Sequence, residues 1–443
     1  TPLSRTIRWL RDVRIGRAGA TPGRREGGLF EQLSAEAEAL ARRALHARAT
    51  AETEARLRES GGSVWTPDRL KVHMTQRLNG SRLFVVSNRE PYEHVWRGRD
   101  IQVITPASRL VTAIEPVLHA CDGTWVAHAS GSADRAVVDA HDRVRVPEDG
   151  RYTLRRVWLT AEEEGGYYRG FSNEGLWPLC HMAHARPIFR ADDWYAYGAA
   201  NRRFAAATLA EMAGVQRPML LVQDYHFALL PQMVAAARRD VRMGIFWHIP
   251  WPNPDAFAIC PWGAALLEGM LAADIVGFHV QAYCHNFLET VDRTLECRID
   301  WDRCTVVRRG HTTAVRPYPI SVATEASIDG VGTGDGTDTA ALRARWGGVS
   351  HVGVGVDRLD YTKGLVERLL GIERFFLKYP RYQGQAVFVQ VAAPTRAGVA
   401  RYAEFECEVR READRINRRL QAGGWVPVHL LERHHSRTEI VDL

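Results

Sequence analysis

From Leu83 onward, short apolar runs alternate with stretches of helical period. Leu83-Phe84-Val85-Val86 predicts a buried strand running into Ser87-Asn88-Arg89, and a helix is expected from about Leu110 to Ala120. Met219–Gln223, Met243–Trp247 and Ile275–Phe278 read as strands, each followed by a helical stretch: Phe227–Ala237, Gly263–Ala272 and Ala282–Leu295. Buried strands alternating with helices imply a parallel sheet covered on both faces. The pattern lapses over 323–348, where Ile328–Gly336 is rich in Gly and Asp and cannot hold a regular element cheaply. It resumes with a strand at Val352–Val356, a helix at Leu365–Tyr379 and a strand at Ala386–Ala393. Val399, Tyr402, Phe405, Val409, Ala413, Ile416 and Leu420 step by threes and fours, the stripe of an amphipathic helix, and Val426–Leu431 reads as a further strand.

The expected organisation is α/β: a doubly wound half over 79–322, a Gly-rich linker over 323–348, and a second half over 349–443. That second half is short, and the chain reaches Leu443 inside what reads as its next helix, as a fragment of a longer protein would. Ahead of these lies an extension, 1–78. Residues 1–30 show no periodicity and read as flexible; 31–60 read as a helix with a narrow stripe of Leu33, Leu40, Leu45 and Leu57. No internal repeat at a fixed period is found.

Composition narrows the class. Among 443 residues, 46% are hydrophobic and 25% charged, a globular balance that excludes intrinsic disorder. No run approaches the ~18 apolar residues of a membrane span, and no secretory signal is visible at the Arg-rich start. The net charge of +6 is spread along the chain and carried by Arg, with Lys only at 71, 363 and 378; this suits phosphorylated small molecules better than nucleic acid, which is not expected as a partner. Seven cysteines, at 121, 180, 260, 284, 297, 304 and 407, form no C-x-x-C pair and read as reduced thiols of a cytoplasmic protein. Cys180, His181 and His184 have a spacing a metal could use, but lack a second ligand cluster, so no structural metal is expected. Gly353 and Gly355 do not make a dinucleotide fingerprint, and neither a P-loop nor G-x-S-x-G occurs.

In open α/β sheets ligands bind at the carboxyl ends of strands, so polar residues just beyond predicted strands are the first candidates. Four segments qualify. Arg89 could fork onto a phosphate, or be a solvated loop cation. Asp224, in Gln223-Asp224-Tyr225-His226, could bind sugar hydroxyls or simply cap the next helix. His248 lies in Trp247-His248-Ile249-Pro250-Trp251-Pro252-Asn253-Pro254, a stiff aromatic loop whose Trp faces would suit a sugar ring. Arg358 and Lys363, in Asp357-Arg358-Leu359-Asp360-Tyr361-Thr362-Lys363-Gly364, set two cations beside a helix N-terminus, a strong anion site. Arg396, beyond the strand Ala386–Ala393, adds a further cation.

These segments, with Tyr167-Tyr168, Phe171-Ser172-Asn173, Leu176-Trp177-Pro178 and His248-Ile249-Pro250, occur in an order that closely resembles the retaining glycosyltransferases of family 20, the trehalose-6-phosphate synthase family, from about Leu83 to Leu443. The resemblance implies a GT-B architecture of two Rossmann-like halves, and transfer of glucose from a nucleotide sugar, usually UDP-glucose, onto glucose 6-phosphate. It implies that Arg89, Tyr168, Trp177 and Arg396 hold the acceptor and its phosphate, that Asp224 and His248 contact the reacting sugars, and that Arg358 and Lys363 neutralise the leaving diphosphate. The nucleotide sugar is then a co-substrate; no cofactor or metal is expected, nor a membrane partner, and a homo-oligomer is left open.

Three departures qualify the resemblance. Where the family has Gly-Gly-Leu near the donor phosphates, this chain has Ala107-Ser108-Arg109-Leu110, so Ser108 and Arg109 either obstruct the donor loop or add a charge contact. His128, in Trp125-Val126-Ala127-His128, stands where a Trp usually lies near the acceptor. The family's Asp-Gly-Met-Asn-Leu donor segment would fall beyond Leu443. The alternatives are another acceptor or donor, such as glycerol 3-phosphate or an ADP- or GDP-sugar, and a non-catalytic relative that binds sugar phosphate.

Overall fold

The computed structural model describes residues 67–440 apart from 79, 106–108, 148, 184, 321–342, 397, 422, 434 and 436–438. The sequence-predicted helix over 31–60, most of the Gly-rich linker, Ser108 and His184 therefore lie outside the described residues. The chain divides into two compact units, Thr1–Leu70 and Lys71–Leu443, and the architecture below is that of the second.

The larger sheet has ten strands in the order β10-β11-β12-β9-β8-β7-β1-β4-β6-β5. Its centre comprises β1 (Leu83–Arg89), β4 (Thr124–His128), β6 (Tyr152–Val157), β7 (Met219–Gln223), β8 (Arg242–Phe246), β9 (Ile275–Phe278) and β12 (His311–Pro317), all parallel. Between β1 and β4 the chain makes an antiparallel hairpin, β2 (Glu93–Arg97) and β3 (Asp100–Ile104), and helix α2 (Arg109–Cys121); helix α1 (Pro67–Leu78) precedes β1. Helices α3 (Ala191–Glu211), α4 (Leu230–Ala237), α5 (Gly263–Met270) and α6 (Gln281–Thr294) supply the other covering layers. β1 is flanked by β4 on one side and β7 on the other, so the strand order reverses there, the point at which such sheets bind ligands.

The expected all-parallel sheet needs correction at both edges. β5 (Arg143–Val146) runs antiparallel to β6, and β10 (Arg298–Asp300) and β11 (Thr305–Arg308) form an antiparallel meander with β12. The β11–β12 connection is two residues, Arg309 and Gly310, with φ of 49° and 79°. That left-handed pair matches the twist of an antiparallel hairpin and leaves no room for a crossover helix.

The core of this half is built from strand residues such as Phe84, Val86, Val126, Val222, Ile245 and Val276, packed against Phe204, Leu230, Leu267 and Phe287 of the helices. Trp247 and Trp251 belong to the same core, with no exposed surface. The expectation that they offer faces to a sugar is thereby overturned: Trp251 packs on Phe257 and Phe287 and donates its Nε1–H to Thr290 Oγ1 (3.0 Å).

The smaller sheet is parallel, β13 (His351–Arg358), β14 (Ala386–Ala393) and β15 (Val428–Leu431), with β14 central. Helices α7 (Leu365–Lys378) and α8 (Ala400–Leu420) enclose a second core of Leu365, Leu369, Phe376, Phe405, Val409, Ala413 and Ile416. The periodicity of α8 is realised as read, because its apolar stripe faces that core.

Candidate functional site

At the end of β1 the register against β4 slips between Ser87 and Arg89, a bulge that sets Arg89 beside His128. Buried Ser87 holds this bend: its hydroxyl accepts from Trp125 Nε1 (2.8 Å) and donates to the Arg89 carbonyl (2.7 Å). The Arg89 side chain is exposed, while half-buried His128 sets Nδ1 3.2 Å from the Val157 carbonyl.

Next door, β7 ends at Gln223 and Asp224 follows with φ 76° and ψ 171°, a conformation that resists a β-carbon. The strain is held in place. The Asp224 amide donates to the Phe246 carbonyl (2.7 Å), and its Oδ1 accepts from the amides of Tyr225 (2.9 Å) and His248 (3.1 Å). Burial pushes the Asp224 carboxyl up to about 7, against those two hydrogen bonds and the attraction of Arg396 and Arg358. The helix expected from Phe227 begins only at Leu230. Tyr225–Phe227 form a 3-10 turn, and Asp224 caps that turn rather than the helix. His248 turns its ring toward the sheet: Nε2 is 2.8 Å from Gln223 Oε1, the ring packs edge-on to Phe246, and burial lowers its pKa to about 3, keeping it neutral.

Tyr168 and Trp177 come from an element periodicity did not predict, a twelve-residue π-helix over Gly165–Leu176 that runs into the short helix Trp177–His181. Long π-helical stretches are rare and concentrate at functional sites. Inside it, Asn173 donates Nδ2–H to the Tyr168 carbonyl (2.7 Å) and accepts at Oδ1 from the Tyr225 hydroxyl (2.9 Å). The Tyr168 ring stacks on His226, with centroids 5.6 Å apart. Burial raises the Tyr168 phenol, but Arg396, Arg89 and Arg358 together hold it below its ordinary value. Three cations from three strand ends thus converge on one phenol.

From the second half, Arg396 reaches across. Its guanidinium lies 3.8 Å from the Trp177 ring centroid, donates from Nη1 to Asp360 Oδ2 (3.2 Å) and to the Tyr402 hydroxyl, and from Nη2 to the Tyr225 hydroxyl (3.3 Å). The side chains of Arg396 and Asp360 are 4% and 0% exposed. Asp360 also accepts from the Thr362 amide (3.0 Å) and hydroxyl (2.9 Å), forming the 3-10 turn Tyr361–Lys363. Gly364 follows with φ 64°, and its left-handed turn lets α7 start at Leu365. Arg358, at the end of β13, is exposed and half-buried Lys363 sits in the turn.

Arg89, Tyr168, Trp177, Asp224, Arg358 and Arg396 therefore meet in one electrostatic neighbourhood. His248 joins through its backbone, and Lys363 acts on His181 together with Arg396. Of Arg109 the backbone is described, as the first residue of α2. Reading the sequence missed Asn173 and Tyr225 as holders of the site, and treated Tyr402 only as an apolar step of α8. A polar tip on an otherwise apolar stripe was the available signal. Among the described residues no cluster of three His, Cys, Asp or Glu could hold a metal ion.

Two Rossmann-like sheets, with cations gathered at the carboxyl ends of their strands, define the class: a glycosyltransferase of the GT-B type. The profile of glycosyltransferase family 20 matches residues 81–443, and the chain belongs to that family. It is 34% identical over 377 residues to the trehalose-6-phosphate synthase of Mycobacterium avium, covering 83% of this chain and 75% of that one. It is 33% identical over 365 residues to the bifunctional trehalose-6-phosphate synthase/phosphatase of Thermoproteus tenax, covering 80% of this chain but only 48%, about half, of that protein's length. Among solved structures, an E. coli trehalose-6-phosphate structure bound with UDP-2-fluoro glucose superposes with a TM-score of 0.69 at 27% identity, over 82% of this chain and 76% of that one.

Proposed function

We propose that this site transfers glucose from UDP-glucose to glucose 6-phosphate with retention, giving α,α-trehalose 6-phosphate. The observation that carries the proposal is the convergence of Arg89, Arg358 and Arg396 on Tyr168, with Arg396 and Arg358 also acting on Asp224. That convergence provides separate cations for an acceptor phosphate and a leaving diphosphate, with the Asp224 carboxyl in the field of two of them.

Arg89, Tyr168, Trp177 and Arg396 take the acceptor and its phosphate, with His128 at the rim beside Arg89. Asp224, held by backbone amides, accepts a hydrogen bond from a sugar hydroxyl, and His248 serves the reacting sugars through the amide by which it fixes that carboxyl. Arg358 and Lys363 stabilise the negative charge that builds on the diphosphate as the glycosidic bond breaks, as preorganised donors do at a developing oxyanion. The acceptor hydroxyl attacks from the face the diphosphate leaves, and a departing phosphate oxygen takes its proton. The halves contribute positioning, worth up to ~7–11 kcal/mol in favourable cases. The site takes small molecules, with the nucleotide sugar as co-substrate and no cofactor or metal, and the protein works in the cytoplasm.

The test is UDP release from UDP-glucose by the full natural chain, with and without glucose 6-phosphate. Release that depends on glucose 6-phosphate is expected, together with no loss in EDTA and a fall of about 10²–10³ in kcat for Arg358→Ala. Absence of UDP release from a folded protein overturns the proposal. Loss in EDTA that a divalent metal restores overturns its metal-free part.

A further inference from the structure

Arg156, on β6, is a fully buried arginine outside the site described above. Its Nε donates to Glu90 Oε2 (3.0 Å) and its Nη1 to the Asp134 carbonyl (2.9 Å). Its Nη2 lies 2.7 Å from Asp134 Oδ1, 2.7 Å from His94 Nδ1 and 3.2 Å from the Tyr92 carbonyl. Glu90 and Asp134 are also without exposed surface. Each carboxylate reaches further. Glu90 Oε1 accepts from the Ser130 amide (2.8 Å) and hydroxyl (3.1 Å). Asp134 accepts from the amides of His94 (2.9 Å) and Gly131 (2.7 Å).

The network ties the chain leaving β1, residues 90–94, to the chain leaving β4, residues 129–134, and both to β6. Each segment directly follows a residue placed on the acceptor side. Arg89 directly precedes Glu90, and His128 stands two residues before Ser130. Burial raises the Glu90 carboxyl to about 8, with Asp134 adding to the rise and Arg156 opposing it. Asp134 is held below its ordinary value, hydrogen bonds from His94 and Glu90 outweighing its burial. Arg156 thus binds both carboxyl groups, and the two oxygens of Glu90 are engaged by Arg156 and Ser130. Arg89, one residue earlier, has no carboxylate within ion-pair distance among the described residues. Burying three ionisable groups is expensive, and apolar side chains would join two loops at lower cost. What the charged cluster adds is direction: its bonds to the Asp134 and Tyr92 carbonyls and to the Ser130, His94 and Gly131 amides fix backbone atoms of both segments.

We propose that Arg156, Glu90 and Asp134 are positioning residues for the acceptor, fixing Arg89 and His128 in register and leaving the Arg89 guanidinium unpaired for the phosphate of a phosphorylated sugar. This rests on the acceptor-side assignment of Arg89 under the proposed function.

The test separates KM for glucose 6-phosphate from KM for UDP-glucose in Glu90→Ala, Glu90→Gln and Ser130→Ala, each with its melting temperature. Glu90→Ala is expected to raise KM for glucose 6-phosphate about tenfold and leave KM for UDP-glucose within about twofold. Glu90→Gln, which keeps the side chain's shape and one acceptor oxygen for Ser130, is expected to stay within about threefold of wild type on both. A folded Glu90→Ala protein with unchanged KM for glucose 6-phosphate, or with both KM values raised equally, overturns the inference. If Glu90→Ala does not fold, Ser130→Ala decides, since Ser130 is an exposed residue whose hydroxyl contributes one arm of the network. A rise of about threefold in the acceptor KM alone is expected, and no rise overturns the inference. Wild-type protein that folds but shows no turnover dependent on glucose 6-phosphate overturns the proposed function first, and the inference with it. Wild-type turnover with unaltered variants overturns the inference alone.

Discussion

Asp224 occupies a backbone region that costs roughly 1–3 kcal/mol for a residue with a β-carbon, and it keeps a carboxyl whose pKa burial raises from 3.8 to about 7. Both features lower stability at neutral pH. A raised carboxyl pKa favours the fold below the unfolded value, and that contribution is lost as pH rises through about 7, where the carboxyl must ionise in place. Asp224→Asn is therefore expected to raise the melting temperature at pH 8, by on the order of 1–3 kcal/mol of stability, while lowering kcat/KM at least ~100-fold. Thermal melts at pH 5 and pH 8 check the sign, since the gain should shrink at the lower pH. Asp224 was legible as a candidate because it follows an apolar run. Its strain was not legible, because φ is set by the contacts of Phe246, Tyr225 and His248. Trp247 and Trp251 show the opposite failure: aromatic residues near a candidate His suggested a sugar platform, but burial consumed both rings.

The π-helix is the element that sequence periodicity could not supply. A widened turn shifts the apolar face at every step, so no repeat of 3.6 accumulates over Gly165–Leu176. Its glycines explain how it packs on α3. A β-carbon at Gly170 would overlap the Asp193 carboxyl, and that carboxyl is fixed by Arg190 (2.9 Å). Gly170→Ala is expected to cost roughly 1–3 kcal/mol of stability, and to weaken acceptor binding by displacing Tyr168 two residues away. A fall in melting temperature with unchanged KM for glucose 6-phosphate would show that the helix is scaffold only. The strands with the clearest apolar runs are found where expected, Met219–Gln223, Ile275–Phe278 and Ala386–Ala393 with identical bounds. The central strands β4, β6 and β12, where polar residues interrupt the apolar runs, and the helix α3 were missed, as were β10 and β11, which are short and half exposed.

At the scale of the molecule, Arg396 joins the two halves. It leaves β14 with φ 50° and stacks on Trp177, which belongs to the other half. A desolvated cation–π contact is worth about 2 kcal/mol, so Trp177→Leu is expected to raise KM for glucose 6-phosphate roughly 5–30-fold. KM for UDP-glucose should change little, because Arg358 and Lys363 lie on the second half alone. An equal rise in both constants would mean that Trp177 serves closure of the halves rather than the acceptor. By itself the sequence determined the α/β class, the strands with the clearest apolar runs, and several of the polar residues that stand at strand ends, but not β4, β6, β12 or α3. These follow from local periodicity and from the geometry of parallel sheets. Only the tertiary structure decided that Arg89, Arg358 and Arg396, up to 307 positions apart, share one phenol, and that Glu90 turns away from the site to Arg156. Such convergence depends on which strands become neighbours and on how burial outweighs charge at each group. Neither quantity is carried by any short window of residues.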